Sequence, residues 1–279
     1  MRMRKVTPKE SWPDSWKQSY QFDRLEIYGD LSYRGHAYAY AQRRRHTLEL
    51  VQKMAPPGAR ILDLAAAQGN YSLALAEMGY EVTWNDLRQE LAGYVKLKYE
   101  KGTIEYLAGN VFALGFDRSF DLVLAGEIIE HVAHPDEFLR AIARLVKQGG
   151  YIVMTTPNGE YIRYRLPKFS ECAEPARFES VQFKPDADGH IFLLWWDEIE
   201  ALARQAGLSV REIRFFANPL TSGHLKSELL LHLTPRRWVE ALEQFTRSLP
   251  LRWKRKLHAG LVILLHRPVV NGRGVFPAV

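Results

Sequence analysis

From Thr47 onward, apolar and polar positions fall into two alternating rhythms: short unbroken apolar runs and longer stretches with helical repeats. Thr47 to Met54 predicts the end of a helix, stopped by Pro56-Pro57-Gly58. Arg60 to Leu64 then predicts a strand, Tyr71 to Met78 a helix, Glu81 to Trp84 a strand, Arg88 to Lys98 a helix and Ile104 to Leu107 a strand. Phe120 to Ala125 and Tyr151 to Thr155 predict two more strands. Between them lies a helix over Asp136 to Val146, with Leu139, Ile142 and Leu145 on one face. Asp197 to Gln205, stopped by Gly207, predicts a helix, and Leu208 to Phe216 and Gly260 to His266 complete seven strands. This alternation predicts an α/β, doubly wound, mostly parallel sheet, with right-handed crossovers placing helices on both faces.

Two stretches interrupt the rhythm. Residues 157–190 are irregular and carry Tyr161, Tyr164, Phe169, Phe178 and Phe183; a loop of that length predicts a functional cap insertion. Residues 217–258 predict a helical insertion in which Trp238, Leu242, Phe245 and Leu249 recur at helical spacing, a stripe expected to be a packed face. The expected organisation is a helical or irregular N-terminal segment over 1–46, a sheet domain over 47–216 and 259–267, and these two insertions.

Composition adds bounds. At 47% hydrophobic and 25% charged, the chain is that of a globular protein. It has no apolar run of the roughly 18 residues a membrane span needs, and its basic N-terminus lacks the apolar core of a signal peptide. One cysteine, Cys172, excludes an internal disulfide and a multi-cysteine zinc site, and a cytoplasmic protein is expected. The net charge of +6 is concentrated. Between Ala217 and His258, eight basic residues (Lys226, Arg236, Arg237, Arg247, Arg252, Lys254, Arg255 and Lys256) stand against three acids, Glu228, Glu240 and Glu243. Such a segment suits nucleic acid, anionic lipid as a peripheral membrane contact, or a phosphorylated substrate; a solvated helical face is the alternative.

The most informative stretch is ILDLAAAQGN, Ile61 to Asn70. A buried strand runs into small residues and then a helix, the arrangement in which a backbone turn approaches a nucleotide closely. Asp63 is placed to hold the loop by accepting backbone N–H bonds. Asp86 lies 17 residues beyond Gly69, at the end of the next strand, where a carboxylate accepts hydrogen bonds from ribose hydroxyls. Asn110, after the third strand, offers its amide to an adenine edge. Strand-end capping is the alternative role for both aspartates.

With these motifs the chain resembles the class I S-adenosylmethionine (SAM)-dependent methyltransferases, whose first motif reads roughly hhDhGxGxG. The resemblance covers about Arg45 to Gly207, on ILDLAAAQGN, VTWNDL, AGNVFAL, FDLVLAGEIIEHVAHPDEFL and LVKQGGYIVMTTPNG. Gly260 to His266 suits the family's final antiparallel strand. The pattern is most similar to small-molecule O-methyltransferases typified by ubiquinone-biosynthesis enzymes. There an arginine some 18 residues before the motif aspartate contacts the cofactor, and Arg45 stands 18 before Asp63. The resemblance implies SAM as cofactor, with Asp63, Ala65, Ala67 and Gly69 at the turn, and Asp86 and Leu87 at the ribose. It puts Asn110 and Val111 at the adenine, and Gly126 and Glu127 beside the methionine half. Tyr38 and Tyr40, just before Arg45, either close the other side of the pocket or belong to the core.

The chain departs from the family pattern at Ala65 and Ala67, where the motif has glycine. Alanine disfavours positive φ, so either the turn uses ordinary φ values there, the favoured expectation, or cofactor binding is impaired. The missing G-x-G-x-x-G turn counts against a nicotinamide cofactor.

Methyl transfer from a sulfonium is an in-line displacement that needs alignment and, for an oxygen acceptor, a base. Glu130 and His131 of GEIIEHVAHP follow the fourth strand, and the resemblance puts His131 near the acceptor and brings His190 back over the pocket. All three are catalytic candidates; capping of the next helix is the alternative for Glu130 and His131, and a lid role for His190. The same three side chains offer ligands to a divalent metal, but no H-x₃-H spacing supports one and no metal is expected. Cys172 matches no pyrimidine-C5 nucleophile motif, and AGEI stands where amino-group DNA methyltransferases carry N/D-P-P-Y/F. The expected function is methyl transfer to a small-molecule acceptor, at a hydroxyl oxygen. An RNA-modifying methyltransferase using residues 217–258, and a SAM-binding protein without catalysis, stay open.

Overall fold

The computed structural model describes residues 3–30, 32–116, 119–182, 189–223 and 227–269. Its strands are β1 (Arg60–Leu64), β2 (Glu81–Asp86), β3 (Thr103–Ala108), β4 (Phe120–Gly126), β5 (Val146–Pro157), β6 (Ser209–Phe216) and β7 (Gly260–His266). They form one seven-stranded sheet in the order β3-β2-β1-β4-β5-β7-β6. Pairing is parallel from β3 through β5, and β7 lies antiparallel between β5 and β6. The strand order reverses between β1 and β4, so a crevice opens outside their carboxyl ends, where ligands of such sheets bind.

Alternate residues of the central strands face opposite sides, and both sides are covered, which is why these strands read as unbroken apolar runs. Leu62, Val123, Ile152 and Ile263 pack against α5 (Pro135–Leu145) and α6 (Trp196–Gln205). Ile61, Leu122, Val153 and Leu264 pack against α2 (Arg34–Met54) and α3 (Asn70–Glu77). Each such burial contributes about 1.5–3 kcal/mol.

Several boundaries differ from the expectation. β5 starts at Val146, before the apolar run, because its register against β4 shifts between Phe120 and Leu122 and takes up the Gly149-Gly150 turn. α4 (Leu91–Lys98) starts later than Arg88, whose side chain is drawn back onto Asp86. α2 runs unbroken across residues 46 and 47, so the N-terminal segment and the sheet share a helix. α1 (Asp14–Glu26) is tied in by a buried cluster. Lys98 Nζ donates to Asp23 Oδ2 at 2.7 Å, to the Gln68 carbonyl at 2.7 Å and to Asn70 Oδ1 at 2.9 Å. Tyr94 donates to the same Asp23 carboxylate at 2.7 Å.

The insertion between β6 and β7 contains α7 (Glu228–Leu233), α8 (Arg236–Ser248) and α9 (Leu251–Leu257). The expected packed stripe on α8 is corrected: Trp238 and Phe245 are each 62% exposed, and the buried residues are Val239, Glu243 and Thr246. Glu243 faces inward because its carboxylate accepts from the backbone and side-chain amides of Asn218, each at 3.0 Å, satisfying the turn after β6. In the cap, Phe169 and Phe178 stand edge-on against Phe192. Phe183 and Lys226 lie outside the described residues. Among the described residues, no helix is long and apolar enough to cross a membrane.

Candidate active site

The chain leaves β1 at Leu64 and enters α3 through a turn whose geometry corrects the sequence reading. Ala65 has φ 50° and Ala67 φ 46°, both left-handed. The turn keeps the shape glycine would give it, at a cost of about 1–2 kcal/mol per alanine. It is held from outside: Ala66 N–H donates to the Asn85 carbonyl at 2.8 Å, Ala67 N–H to Asp86 Oδ2 at 2.9 Å, and Trp84 Nε1 to the Ala67 carbonyl at 3.1 Å. Gly69 cannot be replaced the same way. Its φ is +69°, and a Cβ there would stand 2.7 Å from Val95 Cγ2.

Asp63 is buried, and its Oδ2 accepts the Ser72 hydroxyl at 2.5 Å, so the strand carboxylate anchors the first turn of α3. Burial lifts its carboxyl to about 7, against the opposing Ser72 hydrogen bonds. Asp86 is equally buried, at the end of β2. Besides Ala67 it takes Arg88, whose backbone N–H lies 2.9 Å and whose Nε lies 3.0 Å from Oδ1. Arg88 lines the cleft, so it covers the carboxylate expected to meet the ribose.

The cleft outside this turn has a volume of about 340 Å³, within the range of small-molecule sites. Asp63, Ala65, Ala67, Gly126, Glu127 and His131 line it together, while Gly69 and Asp86 stand behind the lining. Arg45 does not. It is 44% exposed and bonds Gln42 at 2.5 Å; the arginine on the cleft wall is Arg43. The two are about 200° apart around α2, so only one of them can face inward. The same phase difference puts Tyr40 on the wall and leaves Tyr38 off it. Arg43 pairs with Glu127 at 2.8 Å and lies over the Tyr40 ring, 5.3 Å from its centroid. Arg43 Nε and Tyr40 Oη are buried without a hydrogen-bond partner.

Glu26, from the end of α1, lines the same cleft and accepts from Gln68 Nε2 at 3.2 Å. No motif marks it in the sequence, since only the fold brings the N-terminus here. Leu87, Asn110 and Val111 do not line the cleft. Leu87 is 56% exposed; Val111 is buried in the core. Asn110 accepts the Phe112 N–H at 3.1 Å and caps the short turn Val111–Ala113.

Beyond β4 the chain enters a strained turn at Glu127, φ 53°, whose Oε1 accepts from Thr155 at 2.7 Å. A short 3₁₀ turn, Ile129–His131, follows. Glu130, His131 and His190 come together there, with one ligand atom of each within 4.8 Å of the others. The imidazole rings of His131 and His190 meet edge to face at 5.0 Å. His131 Nδ1 lies 3.3 Å from the Gly189 carbonyl, to which it donates, and Nε2 lies 4.0 Å from Glu130 Oε1. Glu130 is buried, with Oε2 accepting from Thr156 at 3.1 Å and Oε1 without a hydrogen-bond partner. Burial, then the neighbouring Glu127, hold its carboxyl well above the usual carboxylate range. A second cavity of about 460 Å³ shares Tyr40, Arg43 and Glu127 with the first and is lined by His190, Tyr164 and Phe216. The sequence argument against a cluster counted helical spacing only; the trio comes instead from a 3₁₀ turn and a returning loop.

A methyltransferase-domain family profile matches residues 33–213. The ubiquinone biosynthesis O-methyltransferase of Xanthomonas campestris pv. campestris (strain B100) is 31% identical over 178 residues, covering 56% of this chain and 74% of that protein. The protein of the same name from Bordetella avium (strain 197N) is 32% identical over 193 residues, covering 62% and 73%. In fold the chain is similar to a SAM-dependent methyltransferase from Mesorhizobium loti, with TM-score 0.52 at 15% identity over 78% of this chain and 96% of that one. It is also similar to the [4+2]-cyclase SpnF, with TM-score 0.54 at 17% identity over 92% and 98%.

Proposed function

Because this chain belongs to the SAM-dependent methyltransferases, we propose that it methylates a hydroxyl oxygen of a small molecule of sugar, polyketide or quinone-like kind. The observation that carries this reading is His131, on the wall of the cofactor cleft, meeting His190, on the wall of the adjoining cavity. When bound, the cofactor supplies a methyl group on a positively charged sulfur. Arg43 fits its carboxylate and Glu26 its ammonium group, since both line the cleft. The backbone at Gly126 and Glu127 supports the methionine side, and Asp86 binds the ribose hydroxyls once Arg88 moves off. An acceptor hydroxyl in the second cavity reaches His131 Nε2, which takes its proton as the oxygen attacks. The O-methyltransferase names of the relatives support oxygen as the atom methylated.

The test is a panel of phenolic and sugar hydroxyl acceptors with wild type and His131→Ala. Transfer is expected to fall by about 10²–10⁴-fold in the variant, the usual contribution of a general base, with cofactor affinity unchanged. Equal turnover by both would remove His131 from the chemistry. The clustering of Glu130, His131 and His190 favours a second reading, in which they hold a divalent cation that polarises the acceptor oxygen. Chelator-treated enzyme discriminates: activity kept without metal fits the base, and activity restored only by added Mg²⁺ or Mn²⁺ fits the cation.

A further inference from the structure

The outer face of α7, α8 and α9 carries large apolar side chains. Leu229, Leu230, Leu233, Trp238, Phe245 and Trp253 are between 51% and 78% exposed. Single exposed apolar residues are ordinary, but six on three successive helices mark a contact surface. Basic residues interleave with them: Arg236, Arg237, Arg252 and Lys256 are all exposed, Arg236 paired with Glu240 and Lys256 lying 5.0 Å from the centroid of the Trp195 ring. The acids of the segment are turned away or paired. Glu243 is buried on Asn218, Glu228 accepts the Gly35 N–H at 2.9 Å, and Glu240 pairs with Arg236 at 2.9 Å. The face is therefore both apolar and cationic.

We infer that this face docks on the surface of an anionic lipid bilayer. Anionic headgroups satisfy the arginines and lysines, while the headgroup–acyl boundary takes up leucine, tryptophan and phenylalanine. A second copy of the chain packed on the same patch about a twofold axis would set one basic face against another. RNA would pair with the arginines and stack on the aromatics, but would leave the α7 leucines in water. The inference goes beyond methyl transfer and does not depend on it, since partition is read without turnover.

The test sediments the full chain with vesicles of phosphatidylcholine alone and with vesicles that also contain phosphatidylglycerol. Binding is expected to be about tenfold or more stronger with phosphatidylglycerol and to weaken with added salt. The variant Trp238→Glu/Phe245→Glu changes two exposed side chains; it is expected to lose about tenfold or more of vesicle binding. Its cofactor affinity, measured in parallel, should be unchanged and so reports an intact fold. Arg237→Ala should weaken vesicle binding about fivefold. Equal binding to both vesicle types, binding indifferent to the double substitution, pelleting without vesicles, or a preference for single-stranded RNA would each overturn the inference.

Discussion

At the residue scale, the turn after β1 keeps left-handed geometry at two alanines, and that makes a stability prediction. Ala65→Gly and Ala67→Gly each relieve a strained φ of 50° and 46°. Each is expected to raise stability by up to about 1 kcal/mol after glycine's greater unfolded-state freedom is offset, read as a higher urea midpoint. Asp63 makes a second. Its carboxyl ordinarily titrates at 3.8 and is lifted by burial to about 7. The folded state therefore holds a proton that the unfolded chain releases. The stabilisation is complete below about pH 4 and is lost as pH rises through about 7. Asp63→Asn should flatten this part of the stability profile, measured by urea unfolding between about pH 4 and pH 8; an unaltered slope would show that Asp63 stays ionised throughout. The residues of ILDLAAAQGN and EIIEH were legible because the family motif fixes their register. Arg43 was not, because three consecutive arginines leave the spacing to Asp63 ambiguous, and only the phase of α2 decides among them. Leu87 and Val111 rest on the resemblance and Asn110 on its place after the third strand, and none of them lines the cleft.

At the scale of elements, α1 and the cofactor turn are joined through one fully buried lysine. Burial lowers the Lys98 pKa while Asp23 opposes the shift, so the pair persists only as a pair. Lys98→Met leaves the Asp23 carboxylate buried without its cation and is expected to cost about 3–5 kcal/mol, read by denaturant unfolding. Lys98→Met/Asp23→Leu should cost less than the single change. A larger loss in the double variant would place the energy in packing rather than in the ion pair. The strands were legible from their unbroken apolar runs, because burial on both faces leaves no room for polar residues. Helix faces were less so. The stripe Trp238, Leu242, Phe245 and Leu249 has the period of a packed face, yet the core side of α8 is the one that carries Glu243. Periodicity finds the amphipathic stripe but cannot say whether protein or another medium covers it.

At the scale of the whole molecule, topology puts the parts of the site together. The reversal between β1 and β4 opens the cleft, and the β5–β7–β6 edge carries the insertion that bounds its second cavity. The α/β class and the doubly wound, mostly parallel sheet follow from sequence rhythm and crossover handedness; the strand order is read from the structure. The arrival of Glu26 at the cleft does not, since no motif marks the end of α1 and only the finished fold brings it near. Calorimetric titration of the full chain with S-adenosylmethionine, repeated for Arg43→Ala and Arg45→Ala, tests the central claim most directly. Wild type is expected to bind one equivalent, Arg43→Ala to weaken binding by about tenfold or more, and Arg45→Ala to leave it within about twofold, as removing a charged hydrogen bond in one place and not the other requires. No heat of binding at roughly millimolar cofactor, or a larger loss from Arg45→Ala than from Arg43→Ala, would contradict the account.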